Sequence, residues 1–69
     1  MSEKQAATAM SGPEFKAIRE RLGLTQTELG ARLKMHRKTV YHLEKAPVVD
    51  PMPALAIRQL EADANAAAA

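Results

Sequence analysis

The sequence predicts an all-α domain of four short helices, with a helix-turn-helix over residues 25–45. Three observations lead there. Two capping boxes, Ser11-x-x-Glu14 and Thr25-x-x-Glu28, each introduce an apolar stripe. The apolar residues recur at three- and four-residue spacing, the period of a helix with one buried face. Gly23 and a proline-rich stretch at 46–53 punctuate these stripes and leave only short connections.

The elements follow in order. Residues 1–10 lack periodicity and are read as a flexible N-terminal arm. The first helix, about 12–22, is capped by Ser11, accepts Pro13 in its first turn, and carries Phe15, Ile18 and Leu22 on one stripe. Gly23 ends it in the left-handed region, with Leu24 packing back. The second helix, about 26–33, places Leu29 and Leu33 inward, and Gly30 or Ala31 leaves room for a neighbour. Lys34-Met35-His36 makes the turn. The third helix, about 37–45, takes His36 as cap, with Met35 and Val40 spaced as a hydrophobic staple. Residues 46–53 form a linker, and the fourth helix, about 53–64, bears Ala56, Ile57, Leu60 and Ala64 on its stripe. Residues 65–69 are an alanine-rich tail, and residues 11–64 are the domain.

Size and composition narrow the function. With 69 residues, fourteen of them alanine, fewer than twenty large apolar side chains are left for a core. Chains this small bury only about 60% of their unfolded surface, so help from a second subunit is expected. The absence of cysteine removes disulfides and thiolate metal sites. No apolar run approaches the roughly 20 residues of a membrane span, and the start has no signal-peptide layout, so a cytoplasmic location is expected. Residues 14–45 hold eight Lys/Arg against four Glu, whereas 46–69 hold Arg58 against Asp50, Glu61 and Asp63. The positive charge therefore lies on the helix-turn-helix, where it favours polyanions.

On a helical wheel Thr39, Val40 and Leu43 share one side of the third helix and form its expected core stripe. Arg37, Lys38, Tyr41, His42 and Lys45 take the other side. Arg and Lys can bond guanine O6 and N7, His can donate or accept, and Tyr suits a phosphate or a thymine methyl. An ordinary solvated helix face would use the same residue types. The wheel alone leaves both readings open.

Residues 14–45, EFKAIRERLGLTQTELGARLKMHRKTVYHLEK, resemble the lambda-repressor-like (Xre/Cro-type) helix-turn-helix family. The resemblance rests on Arg19, Leu22-Gly23-Leu24-Thr25-Gln26, Glu28-Leu29, Leu33, Thr39-Val40 and Leu43-Glu44, and extends more loosely over 53–62. It implies a four- or five-helix lambda-repressor-like DNA-binding domain that binds double-stranded DNA through helix 37–45. Base reading would fall to Arg37, Lys38, Tyr41 and His42. Backbone contact would fall to Thr25, Gln26, Lys34, His36 and Lys45, with Gln26 also buttressing the third helix. Arg19 and Glu44 match the family's structural ion pair, and Thr39 is read as a core or capping hydroxyl. The sequence departs from the family at Lys34, where a turn glycine is usual, at His36, where Ser, Thr or Asn usually caps, and at Ala46, where a glycine follows the third helix. It also leaves no residues for the family's fifth helix.

The resemblance implies a sequence-specific transcriptional regulator, an (auto)repressor. Because one helix specifies too few base pairs against genomic competition and the core is small, a homodimer on an inverted-repeat operator is expected, with helix 53–64 as the seam. Phage, plasmid, toxin–antitoxin and anti-CRISPR-associated control are its implied settings. The alternative is an antitoxin or protein-interaction module for which DNA binding is secondary. RNA binding fits less well, because single-strand readers favour stacked aromatics and this chain has only Phe15 and Tyr41. No catalytic residue, metal ligand, cofactor or small-molecule ligand is expected. His36 and His42 lie six apart on different helix faces, and there is no glycine-rich phosphate loop.

Overall fold

The computed structural model describes residues 9–68 of the chain, and the arm residues 1–8 and Ala69 lie outside the described residues. Among the described residues there are four helices and no strand: α1 Gly12–Arg21, α2 Gln26–Leu33, α3 Arg37–Lys45 and α4 Pro51–Ala68. This is the all-α, four-helix class that the sequence predicts. α1 packs against both α3 and α4, and α2 packs against the same two helices.

Local chemistry accounts for the helix ends. The Ser11 hydroxyl accepts from the Glu14 N–H at 3.2 Å, which starts α1. At the other end Gly23, with φ 72°, lets its N–H reach Glu20 O at 3.0 Å and the Leu24 N–H reach Arg19 O at 3.2 Å. That pair of bonds is the Schellman stop. At α2 the capping box is closed both ways: Glu28 N–H donates to Thr25 Oγ1 at 3.1 Å, and Thr25 N–H donates to Glu28 Oε1 at 2.8 Å.

The turn between α2 and α3 repeats the Schellman pattern without its glycine. Lys34 occupies the left-handed region at φ 59°, so that Met35 N–H bonds Gly30 O at 2.8 Å. Holding a side-chain-bearing residue there costs about 1–2 kcal/mol. Gly30 leaves the room that this turn needs, because a Cβ on it would lie 2.6 Å from Met35 O. Ala31, the other residue expected to make room, is exposed. Ala46, in contrast, adopts φ −75° and ψ 145°, so the chain does not require a glycine after α3.

The core consists of Met10, Phe15, Ile18, Leu29, Val40, Val49, Ala54 and Ile57, with Leu22, Leu24, Leu33, Met35, Leu43 and Leu60 packed around it. Several expectations are corrected here. Met10 is not part of a free arm. It is buried beside the α1 cap, and its carbonyl accepts the Val49 N–H at 2.7 Å. Met10 precedes the Ser11 cap and Phe15 is the fourth helical residue, so the two stand in staple positions like Met35 and Val40.

The linker is also shorter than expected. α4 begins at Pro51 rather than 53, because both prolines fit in a first turn whose N–H groups have no helical acceptor. Its far end runs past 64 through the alanines to Ala68, as the highest helix propensity allows. On α4, Ala54 and Ile57 are the buried residues, Ala56 is half-buried and Ala64 is exposed.

Candidate nucleic-acid interface

A buried carboxylate fixes where α3 sits. Glu44 is 9% exposed and accepts from Arg19 Nε at 2.5 Å and from Gln26 Nε2 at 3.0 Å. Arg19 also gives Nη1 to the Leu24 carbonyl at 2.9 Å and Nη2 to Glu44 Oε1 at 3.4 Å. One side chain each from α1, α2 and α3 thus meets at a single charged point, with the α1–α2 connection tied to it. A buried charge is tolerated only when paired and hydrogen-bonded in this way. The ion pair expected between Arg19 and Glu44 is present. Gln26, expected at a DNA phosphate, is half-buried at the start of α2 and holds Glu44; its amide nitrogen keeps a second N–H.

The Glu44 anchor sets the rotation of α3. Val40 and Glu44 are buried and Leu43 is half-buried. Arg37, Lys38, Tyr41, His42 and Lys45 are all exposed. Thr39, expected in the core stripe, is exposed as well and joins this outward face. Arg37, Lys38, Tyr41 and His42 line a concave cleft of about 330 Å³. These are the four residues expected to read bases.

Within the face the aromatic and basic groups support one another. Lys45 Nζ lies 5.2 Å from the centre of the Tyr41 ring, a cation–π distance. The Tyr41 and His42 rings meet edge to face, with centroids 5.6 Å apart. Tyr41 stays 43% exposed, so its ring is braced on the surface rather than packed in the core.

Of the residues expected at the DNA backbone, His36 and Lys45 stand at the two ends of α3, and Gln26 reaches that helix through Glu44. His36 caps α3 by accepting the Lys38 N–H on Nδ1 at 3.1 Å. With Nδ1 accepting, the hydrogen of the neutral ring sits on Nε2, which makes the exposed edge of His36 a donor. Thr25 spends one hydroxyl lone pair and its own N–H on the capping box but keeps the hydroxyl proton. Lys34 is exposed at the turn. The N-terminus of α2 and the α2–α3 turn therefore present donors of the kind that meet phosphates. Among the described residues no group of histidines and carboxylates is placed to hold a metal ion. No described helix is long and apolar enough to cross a membrane.

Comparison with known protein families places the chain among helix-turn-helix proteins. The family model described as helix-turn-helix matches residues 15–63, from the first core residue of α1 into the second half of α4. No curated protein and no solved structure matches the chain.

Proposed function

The chain belongs to the Xre/lambda-repressor-like helix-turn-helix family and is a DNA-binding regulator; from that premise we propose that it is a dimeric, sequence-specific transcriptional repressor that reads an inverted-repeat operator with α3. The observation that carries the proposal is the cleft formed by Arg37, Lys38, Tyr41 and His42 on a helix anchored from behind by Glu44. Side chains at the N-terminal end of such a helix reach deepest into a major groove. Thr25, Gln26, Lys34, His36 and Lys45 then hold the phosphates on either side, and occlusion of polymerase suffices for repression.

The symmetry follows from energetics. One helix discriminates only a few base pairs at about 1–3 kcal/mol each, too little against the competing sites of a genome. Two copies on one site double the sequence read. A seam on α4 is supported by Met52 and Leu55, which are 79% and 53% exposed and one helical turn apart, with Val48 just before them at 67%. Large apolar side chains exposed in proximity are typical of association surfaces.

Two substitutions test the roles assigned to the face. Arg37→Ala should lose about 1–3 kcal/mol on the cognate duplex and little on random DNA. Lys45→Ala should weaken both about equally and lower the salt dependence, as loss of a phosphate contact does. Titration of labelled duplexes at two salt concentrations distinguishes these outcomes. Equal losses on cognate and random DNA for Arg37→Ala would remove it from base reading.

A further inference from the structure

The chemistry of the α3 face also restricts which operator it can read. The argument rests on the DNA-binding reading above and deepens it. Arg37 and Lys38 carry hydrogen-bond donors only, and they stand at the start of α3, where a recognition helix goes deepest. His36, just before them, has its one acceptor nitrogen committed to the Lys38 N–H, so what it offers outward is a donor. The first turn of the helix offers no committed acceptor to a base: its acceptors sit further along, on the ambivalent groups of Thr39, Tyr41 and His42. Among the described residues α3 exposes no Asp, Glu, Asn or Gln, because its one carboxylate, Glu44, is turned inward onto Arg19 and Gln26.

In the major groove, bidentate reading of adenine needs a carboxamide, and reading of cytosine N4 needs an acceptor such as a carboxylate. Neither a carboxamide nor a carboxylate is exposed on this face among the described residues. Gln26, a carboxamide at its edge, has its nitrogen held by Glu44. The hydroxyls of Thr39 and Tyr41 and the imidazole of His42 can each donate or accept, so they serve several bases or a phosphate without choosing. Guanine alone presents two acceptors, O6 and N7, to a donor-only side chain. We infer that the half-site is guanine-directed: the two base pairs beneath Arg37 and Lys38 each carry a guanine, contacted through N7 and O6.

The inward turn of Glu44 is what makes this restriction structural. A carboxylate in the second half of α3 would otherwise add a cytosine-reading group to the face. Its capture by Arg19 leaves the outward chemistry one-signed, which also suits the phosphates on either side.

The test uses the full chain and randomised duplex DNA, from which bound sequences are selected. The guanines of the resulting half-site are then replaced one at a time by 7-deazaguanine, which pairs normally but lacks the N7 acceptor. The expected consensus contains two guanines per half-site. Each replacement should weaken binding by roughly 5-fold or more, within the 5- to 150-fold range by which one good base contact discriminates. Arg37→Gln should shift the preferred base at one of these positions from guanine to adenine. A consensus without guanine, or affinity indifferent to 7-deazaguanine, would overturn the inference and leave DNA binding standing. Failure to retain any duplex would overturn the DNA-binding reading, and the inference with it.

Discussion

Arg19→Ala is expected to destabilise the domain by about 3–5 kcal/mol, because it leaves the buried Glu44 carboxylate without its cation. The Glu44 side chain is only 5% exposed, so water does not replace the lost guanidinium. The Leu24 carbonyl loses its Nη1 donor in the same step. Domains of this size have total stabilities near the bottom of the ~5–15 kcal/mol range, so much of the variant should be unfolded at room temperature. In thermal unfolding followed by circular dichroism, the midpoint should fall by about 15 °C or more. Arg19→Met combined with Glu44→Leu should recover part of the loss, since the buried charge disappears along with its partner. A loss below about 1 kcal/mol for Arg19→Ala would mean that the three-helix charged junction does not hold α3. Among the described residues, the other two ion pairs, Arg21–Glu61 and Arg58–Glu14, are more exposed and contribute correspondingly less.

Gly12→Ala should have an effect of similar size for a steric reason. Gly12 opens α1 directly against the end of α3, and its N–H donates to Ala46 O at 2.9 Å. A Cβ on residue 12 would fall onto that same carbonyl oxygen and within 2.6 Å of the Glu44 carbonyl oxygen. Both obstacles are backbone and cannot swing aside. The α1 N-terminus must therefore withdraw and surrender the hydrogen bond. Overpacking of about 1–3 kcal/mol and a lost bond of about 1 kcal/mol together give roughly 2–4 kcal/mol. Gly23→Ala is the control. Space around Gly23 is open, so its loss should be confined to the left-handed backbone, about 1–2 kcal/mol. Chemical denaturation of the two variants compares them directly. A Gly12→Ala loss no greater than that of Gly23→Ala would refute the close approach of α1 and α3.

Legibility in the sequence followed the range of the interaction. The Ser11 and Thr25 caps, the Gly23 stop and the α3 boundaries depend on residues within one turn of each other, and they could be read directly. Thr39 was misplaced for a reason that a wheel cannot resolve. Thr39 and Tyr41 stand about 100° to either side of Val40, so apolarity alone does not choose between them. The choice is made by Arg19, on another helix, which draws Glu44 inward and rolls Thr39 out.

Met10 and Val49 were missed because each lies in a segment whose composition suggests a loop. Their burial comes from a contact between distant parts of the chain. The Met10–Phe15 staple spacing was nonetheless available as a signal, the same one that placed Met35 against Val40. The role of Gly12 depends on Ala46 and leaves no local mark. At the candidate site the residue types of the cleft were legible. The lack of an exposed carboxylate on the face and the donor character of its first turn were not, because they depend on Glu44 being buried and on His36 spending Nδ1 on its own helix.

The most direct test of the central claim, that the outward face of α3 meets DNA, is residue-resolved mapping of the complex. Amide resonances of the labelled protein would be followed as duplex DNA bearing the selected site is added. The account predicts the largest shifts at Arg37–Lys45 and at the α2 N-terminus around Thr25 and Gln26, with the C-terminal half of α4 little changed. Shifts concentrated around Leu22, Leu24, Arg32 and Leu60, the groove between α2 and α4, with α3 silent, would contradict it.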